Sequence, residues 1–116
     1  MKYDLEERTT AFGEKVIVFA RSIALDEITR PLIDQMVRSG TSIGANYREA
    51  NEASSKKDFR NKICITKKEA NETRHWLRLI MTASPSKAAE SKKLMSEVNE
   101  LVLIFGRIVH TLRETK

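Results

Sequence analysis

Glu72 and His75 have the spacing in this chain that most resembles a catalytic metal motif. Glu-x-x-His supplies ligands to the di-iron sites of four-helix bundles, which also need a second such pair and two further inward-facing glutamates. The only other histidine, His110, has Arg107 rather than an acid three residues before it. Glu72 and His75 also lie off the apolar stripe predicted for their helix. We therefore expect no metal site and no cofactor.

Nucleophilic and acid–base catalysis have no better support. Cys64 is the single cysteine, which argues against an internal disulfide and a cysteine-based zinc site. No histidine stands at a spacing that would activate its thiol. Carboxylates such as Glu69 are common on solvated helices, and we expect Glu69 to pair with Arg38 or Arg48. The sequence therefore predicts no catalytic residue and a protein that is not an enzyme.

The strongest signal is electrostatic. The net charge is +5, and residues 56–83 hold eight basic side chains against three acidic ones, so this segment accounts for the whole excess. On a helical wheel five of the basic side chains fall within about 40° of one another, with Lys68 beside them. We call the following six residues the basic ridge: Lys56, Arg60, Lys67, Lys68, Arg74 and Arg78. Charge of one sign along one helix face is typical of contact with a phosphate backbone. A solvated face and an acidic protein partner are the alternatives.

Four helices must position these residues. Helix start, period and stop signals predict helices over about residues 5–24, 30–53, 56–83 and 87–113. The predicted N-terminal caps of the first three are Asp4, Thr29 and Ser54-Ser55. The fourth helix carries a heptad seam of Leu94, Val98, Leu101, Phe105, Ile108 and Leu112. Short connections between long helices favour an all-α, up-down-up-down antiparallel four-helix bundle with residues 1–116 in one domain.

Composition bounds the location of the protein. Apolar residues make up 41% of the 116 residues and charged residues 32%, with four glycines and two prolines, as in a folded helical protein. No run approaches the roughly 18 apolar residues that a membrane span needs. The start of the chain also lacks the apolar core of a signal peptide. We expect a cytoplasmic protein without a membrane partner.

The second and fourth helices are more apolar than a single buried face requires. The second also carries two glycines four residues apart, which together cost about 1–2 kcal/mol relative to alanine unless a neighbouring helix approaches closely. We predict an oligomer interface or close helix packing at Val37, Gly40, Thr41, Gly44, Val102 and Val109. Whether the neighbouring helix belongs to the same chain or to another subunit is open.

Two segments carry a family resemblance: Arg38-Ser39-x-x-Ser42-Ile43-x-x-Asn46 with Glu49-Ala50, and Glu69-Ala70-x-Glu72-Thr73-x-x-Trp76-Leu77. Over nearly its whole length the chain resembles the bacterial four-helix-bundle family encoded in intervening sequences of 23S ribosomal RNA genes. That family is similar to the accessory proteins of diversity-generating retroelements, which are basic pentamers associated with nucleic acid. The resemblance implies a homopentameric ring. It also implies packing and polar-network roles for Ser42, Asn46, Glu49, Glu69, Glu72 and Trp76.

Charge and resemblance together predict a non-enzymatic homo-oligomer that binds nucleic acid, structured RNA more than DNA, through the basic ridge. The alternative is a structural or scaffolding oligomer that binds an unidentified protein partner and has no role with nucleic acid.

Overall fold

The structure, a computed structural model, describes residues 4–114. The all-α prediction is confirmed, because the described chain contains helices and no strand. The elements are α1 (Leu5–Ser22), α2 (Thr29–Asn51), α3 (Lys56–Ala83), a short 3₁₀ helix (Pro85–Lys87) and α4 (Ala88–Glu114). Their ends lie within two residues of the predicted bounds. The helices pack into a bundle of 49 × 23 × 20 Å, whose long axis reflects the 28 residues of α3.

Local side-chain caps start α1 and α3 where the sequence predicts them. The carboxylate of Asp4 accepts the backbone N–H of Glu7 at 3.1 Å. At the start of α3, Ser55 Oγ accepts the N–H of Asp58 at 3.0 Å. Each bond satisfies a first-turn N–H group that has no partner within the helix, so both predicted caps are confirmed.

The start of α2 differs from the prediction. Thr29 is the first helical residue and not the cap, because Asp26 Oδ1 accepts the N–H groups of Ile28 at 2.8 Å and of Thr29 at 2.7 Å. Thr29 is buried, and its hydroxyl accepts the Asp26 N–H at 2.9 Å and donates to the Ala24 carbonyl at 2.8 Å. The Thr29 and then the Ile28 N–H bond lower the pKa of Asp26, because they favour the ionised carboxylate.

One hydrophobic core runs through all four helices. On α4 the heptad seam is buried from Leu94 to Phe105, and Val109, predicted at an oligomer interface or a close helix contact, is buried in the core as well. Two buried polar bonds set the register of α3 against its neighbours. Thr73 donates to Ser39 Oγ on α2 at 3.0 Å, and Ser91 on α4 donates to the Leu77 carbonyl at 2.7 Å.

Glycines let α1 approach α2 closely within the chain. A Cβ added to Gly40 would lie 3.0 Å from a methyl carbon of Val16, which is fully buried. One added to Gly44 would meet Thr9 and Thr10 at 3.4–3.5 Å. The neighbouring helix that these glycines accommodate is therefore α1 of the same chain.

Candidate nucleic-acid interface

The basic ridge follows the boundary between α3 and α4. Lys56, Lys68 and Arg78 are exposed, whereas Arg60, Lys67 and Arg74 are half-buried. Lys67 Nζ would lie only 3.7 Å from a Cβ on Gly106 of α4, so the lysine rests over that glycine.

Arg74 is already engaged by neutral partners. One of its terminal nitrogens donates to Asn99 Oδ1 on α4 at 2.8 Å, and the other donates to Asn71 Oδ1 at 2.7 Å. These amides hold the guanidinium in place without neutralising it, so its charge still contributes to the field of α3.

The ion pairs of the described chain leave out five of the six ridge residues. They join Arg8 to Glu100, Lys15 to Glu97, Arg38 to Glu69 and Glu72, Arg48 to Glu6, and Lys87 to Glu90. Among the described residues, Arg60, Lys67, Lys68, Arg74 and Arg78 form no ion pair at all. The positive charge of these five side chains is therefore not balanced by a direct contact with a described carboxylate, and it remains available to an anionic partner.

Arg38 of α2 binds the two carboxylates in the middle of α3. Its guanidinium lies 3.3 Å from a carboxylate oxygen of Glu69 and 2.9 Å from one of Glu72. The predicted pairing of Glu69 with Arg38 is confirmed, and Arg48, the other candidate, pairs with Glu6 at 3.6 Å. Glu69 lies on the far side of α3 from most of the ridge, whereas Glu72 lies one helical turn after Lys68 on the same face.

Two of the remaining motif residues make hydrogen bonds within α2. Ser42 donates to the Arg38 carbonyl at 2.6 Å and Asn46 donates to the Ser42 carbonyl at 2.9 Å, while Glu49 is exposed. Trp76 is half-buried, and its indole N–H is buried without an acceptor among the described residues. The bonds of Ser42 and Asn46 support their polar role, whereas no polar bond of the Glu49 or Trp76 side chain is found among the described residues.

A groove that sequence analysis missed lies beside the ridge. It has a volume of about 590 Å³, and α3 and the C-terminal part of α4 line it with Lys67, Lys68, Asn71, His75, Trp76 and Arg113. The rings of His75 and Trp76 meet edge to face, with their centroids 4.9 Å apart. Cys64 also lines this groove, beside Lys67 and Lys68. The available sequence signal was a histidine two helical turns after Lys68.

The predicted interface residues divide into two groups. Gly40 and Gly44 contact α1 of the same chain, and Val109 belongs to the core, whereas Val37 and Val102 are half-buried and Thr41 is exposed. Sequence analysis did not single out the large apolar side chains that are most exposed: Ile17, Val18, Leu25, Ile28, Ile65 and Leu103. Four of these exposed apolar side chains lie on α1 and on the connection that follows it, and the other two lie on α3 and α4.

Neither metal ligands nor a membrane span are found in the described part of the chain. No group of three or more His, Cys, Asp or Glu side chains is arranged to hold a metal ion. No described helix combines the length and the apolar character that crossing a membrane requires.

Comparison with known families places the chain. Residues 2–106 match the family described as 23S rRNA-intervening sequence protein. The chain belongs to this family. Among solved structures, it is similar to a protein with unknown function from the S23 ribosomal protein family of Bacteroides thetaiotaomicron VPI-5482. The two are 31% identical with a TM-score of 0.81, and the match covers 90% of this chain and 96% of the other. No curated protein matches this member of the family.

Proposed function

We propose that this intervening-sequence protein is a non-enzymatic helical bundle that binds nucleic acid through its basic ridge, with structured RNA as the favoured ligand. The observation that supports this most is the pattern of ion pairs. Arg60, Lys67, Lys68, Arg74 and Arg78 form none among the described residues, although other helices supply cations to carboxylates repeatedly. Unpaired cations along one helix suit a ligand with regularly spaced phosphates.

The six ridge residues would contribute differently to this binding. Lys68 and Arg78 are exposed and carry no hydrogen bond to the described protein, so they would reach phosphates directly. Arg74 keeps N–H groups beyond the two that bond Asn71 and Asn99, but its position is set by those bonds. Phosphate contacts of this kind position a ligand without reading its sequence, so selectivity would come from RNA shape.

We further propose that the helices run up-down-up-down and that the chain assembles as a homo-oligomer, a pentameric ring by the family resemblance. The contacts of Gly13 with Gly40 and of Thr9 with Gly44 support opposite directions for α1 and α2, because residue numbers rise on one helix as they fall on the other. Exposed Val18 and Leu103 support a further apolar contact between subunits. A ring would repeat the ridge, and weak contacts would then add through effective concentration.

Binding to an RNA hairpin across a salt series tests the proposal. Each phosphate contact contributes about −0.7 to −0.9 to the slope of log affinity against log salt. Replacing Lys68 and Arg78 by alanine should reduce the magnitude of the slope by about 1.4–1.8. A control variant with Arg21 and Arg30 replaced by alanine loses the same two positive charges as the Lys68 and Arg78 variant. It should keep the wild-type slope. Equal slopes for the two double variants would contradict the assignment to the ridge.

A scaffolding oligomer is the second candidate. It is favoured by a groove of about 600 Å³ between α1 and α4, where the partly apolar wall includes Val18, Phe19 and Leu94. This alternative predicts that RNA binding is weak and disappears above low salt, while the oligomer stays intact.

A further inference from the structure

The groove between α3 and α4 places cations beside an exposed aromatic ring. Lys67 and Lys68 lie on α3, Arg113 contributes a further cation from α4, and His75 and Trp76 supply the rings. Its volume of about 590 Å³ falls in the range of sites that hold small ligands. A ligand that fills it must therefore match both a positive wall and an aromatic surface.

The charge of the groove favours an anion. Neither Lys67 nor Lys68 forms an ion pair among the described residues. Glu72, the carboxylate that lines the groove, lies 2.9 Å from the guanidinium of Arg38, which it shares with Glu69, so its negative charge is partly offset. Three cationic side chains, Lys67, Lys68 and Arg113, face this one carboxylate, so the lining carries a net positive charge.

The rings add what a simple phosphate site would not need. His75 is exposed, and Trp76 contacts it edge to face at an interplanar angle of 65°, which limits how the imidazole can turn. Asn71 accepts the Arg74 guanidinium through Oδ1 at 2.7 Å, while its amide N–H groups have no acceptor among the described residues. An exposed ring and a spare N–H donor are the groups that proteins use for a base that has left its stack.

The spacing suits a nucleotide. Lys68 and His75 are two helical turns apart on one face of α3, which places their backbones about 10 Å apart along the helix axis. Side chains of this length can hold a phosphate at one end and a base at the other. A base inside a duplex is stacked on its neighbours and offers no free face to a protein ring.

We propose that this groove binds one unpaired nucleotide, whose base stacks on His75 and whose phosphate is held by Lys67 and Lys68. The inference rests on the proposed function and adds to it the form of the ligand: an unpaired nucleotide in a loop or single strand of RNA, bound beside a ridge that contacts the backbone.

Fluorescence polarisation of a labelled ten-nucleotide oligouridine is the test. Stacking of one base contributes about 1–3 kcal/mol, so His75→Ala should weaken binding at least about fivefold. His75→Phe keeps an aromatic ring without a charge and should stay within about twofold of wild type. The matched control is His110→Ala. It removes the second histidine of the chain, which lies on α4 and does not line the groove, and it should leave the affinity unchanged. Inorganic polyphosphate, which has phosphates and no bases, should bind wild type and His75→Ala equally.

The outcomes separate this inference from the proposed function. If oligouridine binds and His75→Ala matches wild type, the groove assignment is overturned while the ridge stands. If His75→Ala weakens polyphosphate as much as oligouridine, the histidine acts through charge or folding and base stacking is excluded. If neither oligouridine nor the RNA hairpin binds wild type at useful salt, the proposed function fails, and this inference fails with it. Loss with alanine and recovery with phenylalanine would establish the stacked base.

Discussion

Replacing Gly40 by alanine tests the close packing of α1 on α2. In an unobstructed helix the change should stabilise the fold by about 0.8–1.0 kcal/mol. Here the new Cβ would lie 3.0, 3.1 and 3.3 Å from the Cγ1, Cγ2 and Cβ atoms of Val16. Val16 is fully buried, and its β-branched side chain has one strongly preferred rotamer in a helix, so it cannot turn away. Overpacking of this kind costs about 1–3 kcal/mol, and we expect net destabilisation of up to about 2 kcal/mol.

Gly106→Ala is the matched control for this prediction. Its Cβ would meet only the flexible end of Lys67, at 3.7 and 3.8 Å, which is ordinary van der Waals contact. It should stabilise the protein by about 0.5–1 kcal/mol, so the two variants should differ by about 1–3 kcal/mol in opposite directions.

Urea denaturation measures both variants, at one fixed protein concentration because an oligomer makes apparent stability concentration-dependent. If Gly40→Ala stabilises the fold as much as Gly106→Ala does, the close approach of Val16 is refuted. A double variant with Val16→Ala should recover about 1 kcal/mol or more relative to the sum of the single changes.

Three further predictions concern pH, a buried hydroxyl and assembly. The lowered pKa of Asp26 means that its contribution to stability is complete above the ordinary carboxyl range near about pH 4 and is lost as the pH falls through the folded-state pKa. Asp26→Ala should therefore lower the urea midpoint at pH 7 and lower it less at pH 3. Equal effects at both pH values would contradict a stabilising role for the bonds from Asp26 to the N–H groups of Ile28 and Thr29. Ser39→Ala removes the buried hydroxyl that bonds Thr73 and should cost about 1 kcal/mol in urea denaturation, whereas no loss would show that this bond does not hold α2 to α3. Val18→Glu should lower the mass measured by light scattering without loss of helicity, while Thr82→Glu, an exposed change at the end of α3, should not. An unchanged mass would remove Val18 from the proposed interface.

Helix boundaries were accessible from sequence because the forces that set them are local. Asp4 and Ser55 cap the backbone N–H groups three residues onward, and apolar spacing on each helix marks a buried face whatever covers it. The error at Thr29 has the same origin. Asp26 and Thr29 both have oxygen atoms that can cap a helix, and only the path of the preceding loop decides that Asp26 takes the backbone N–H groups.

Residue types and helical spacing also determined the charge on α3 and the family motifs. The pairing of Glu69 with Arg38 could be anticipated because the two helices were expected to be neighbours. That the Arg38 guanidinium binds Glu72 as well as Glu69 depends on the register of α2 against α3, which the sequence does not give.

Tertiary packing decided what each flank of a helix meets. Periodicity shows that Gly40 and Val109 lie near an apolar face, but not that α1 of the same chain covers the first or that the core includes the second. It shows that Arg74 belongs to the basic ridge, but not that Asn99 of α4 bonds its guanidinium. The groove at His75 likewise needs a wall from α4, about forty residues further along the chain. Sequence by itself therefore determined the helices and the chemistry that each carries, because those depend on neighbours within a turn or two. Only the fold decided which of these groups are occupied by the protein and which are left for a ligand, because that depends on contacts between residues distant in the chain.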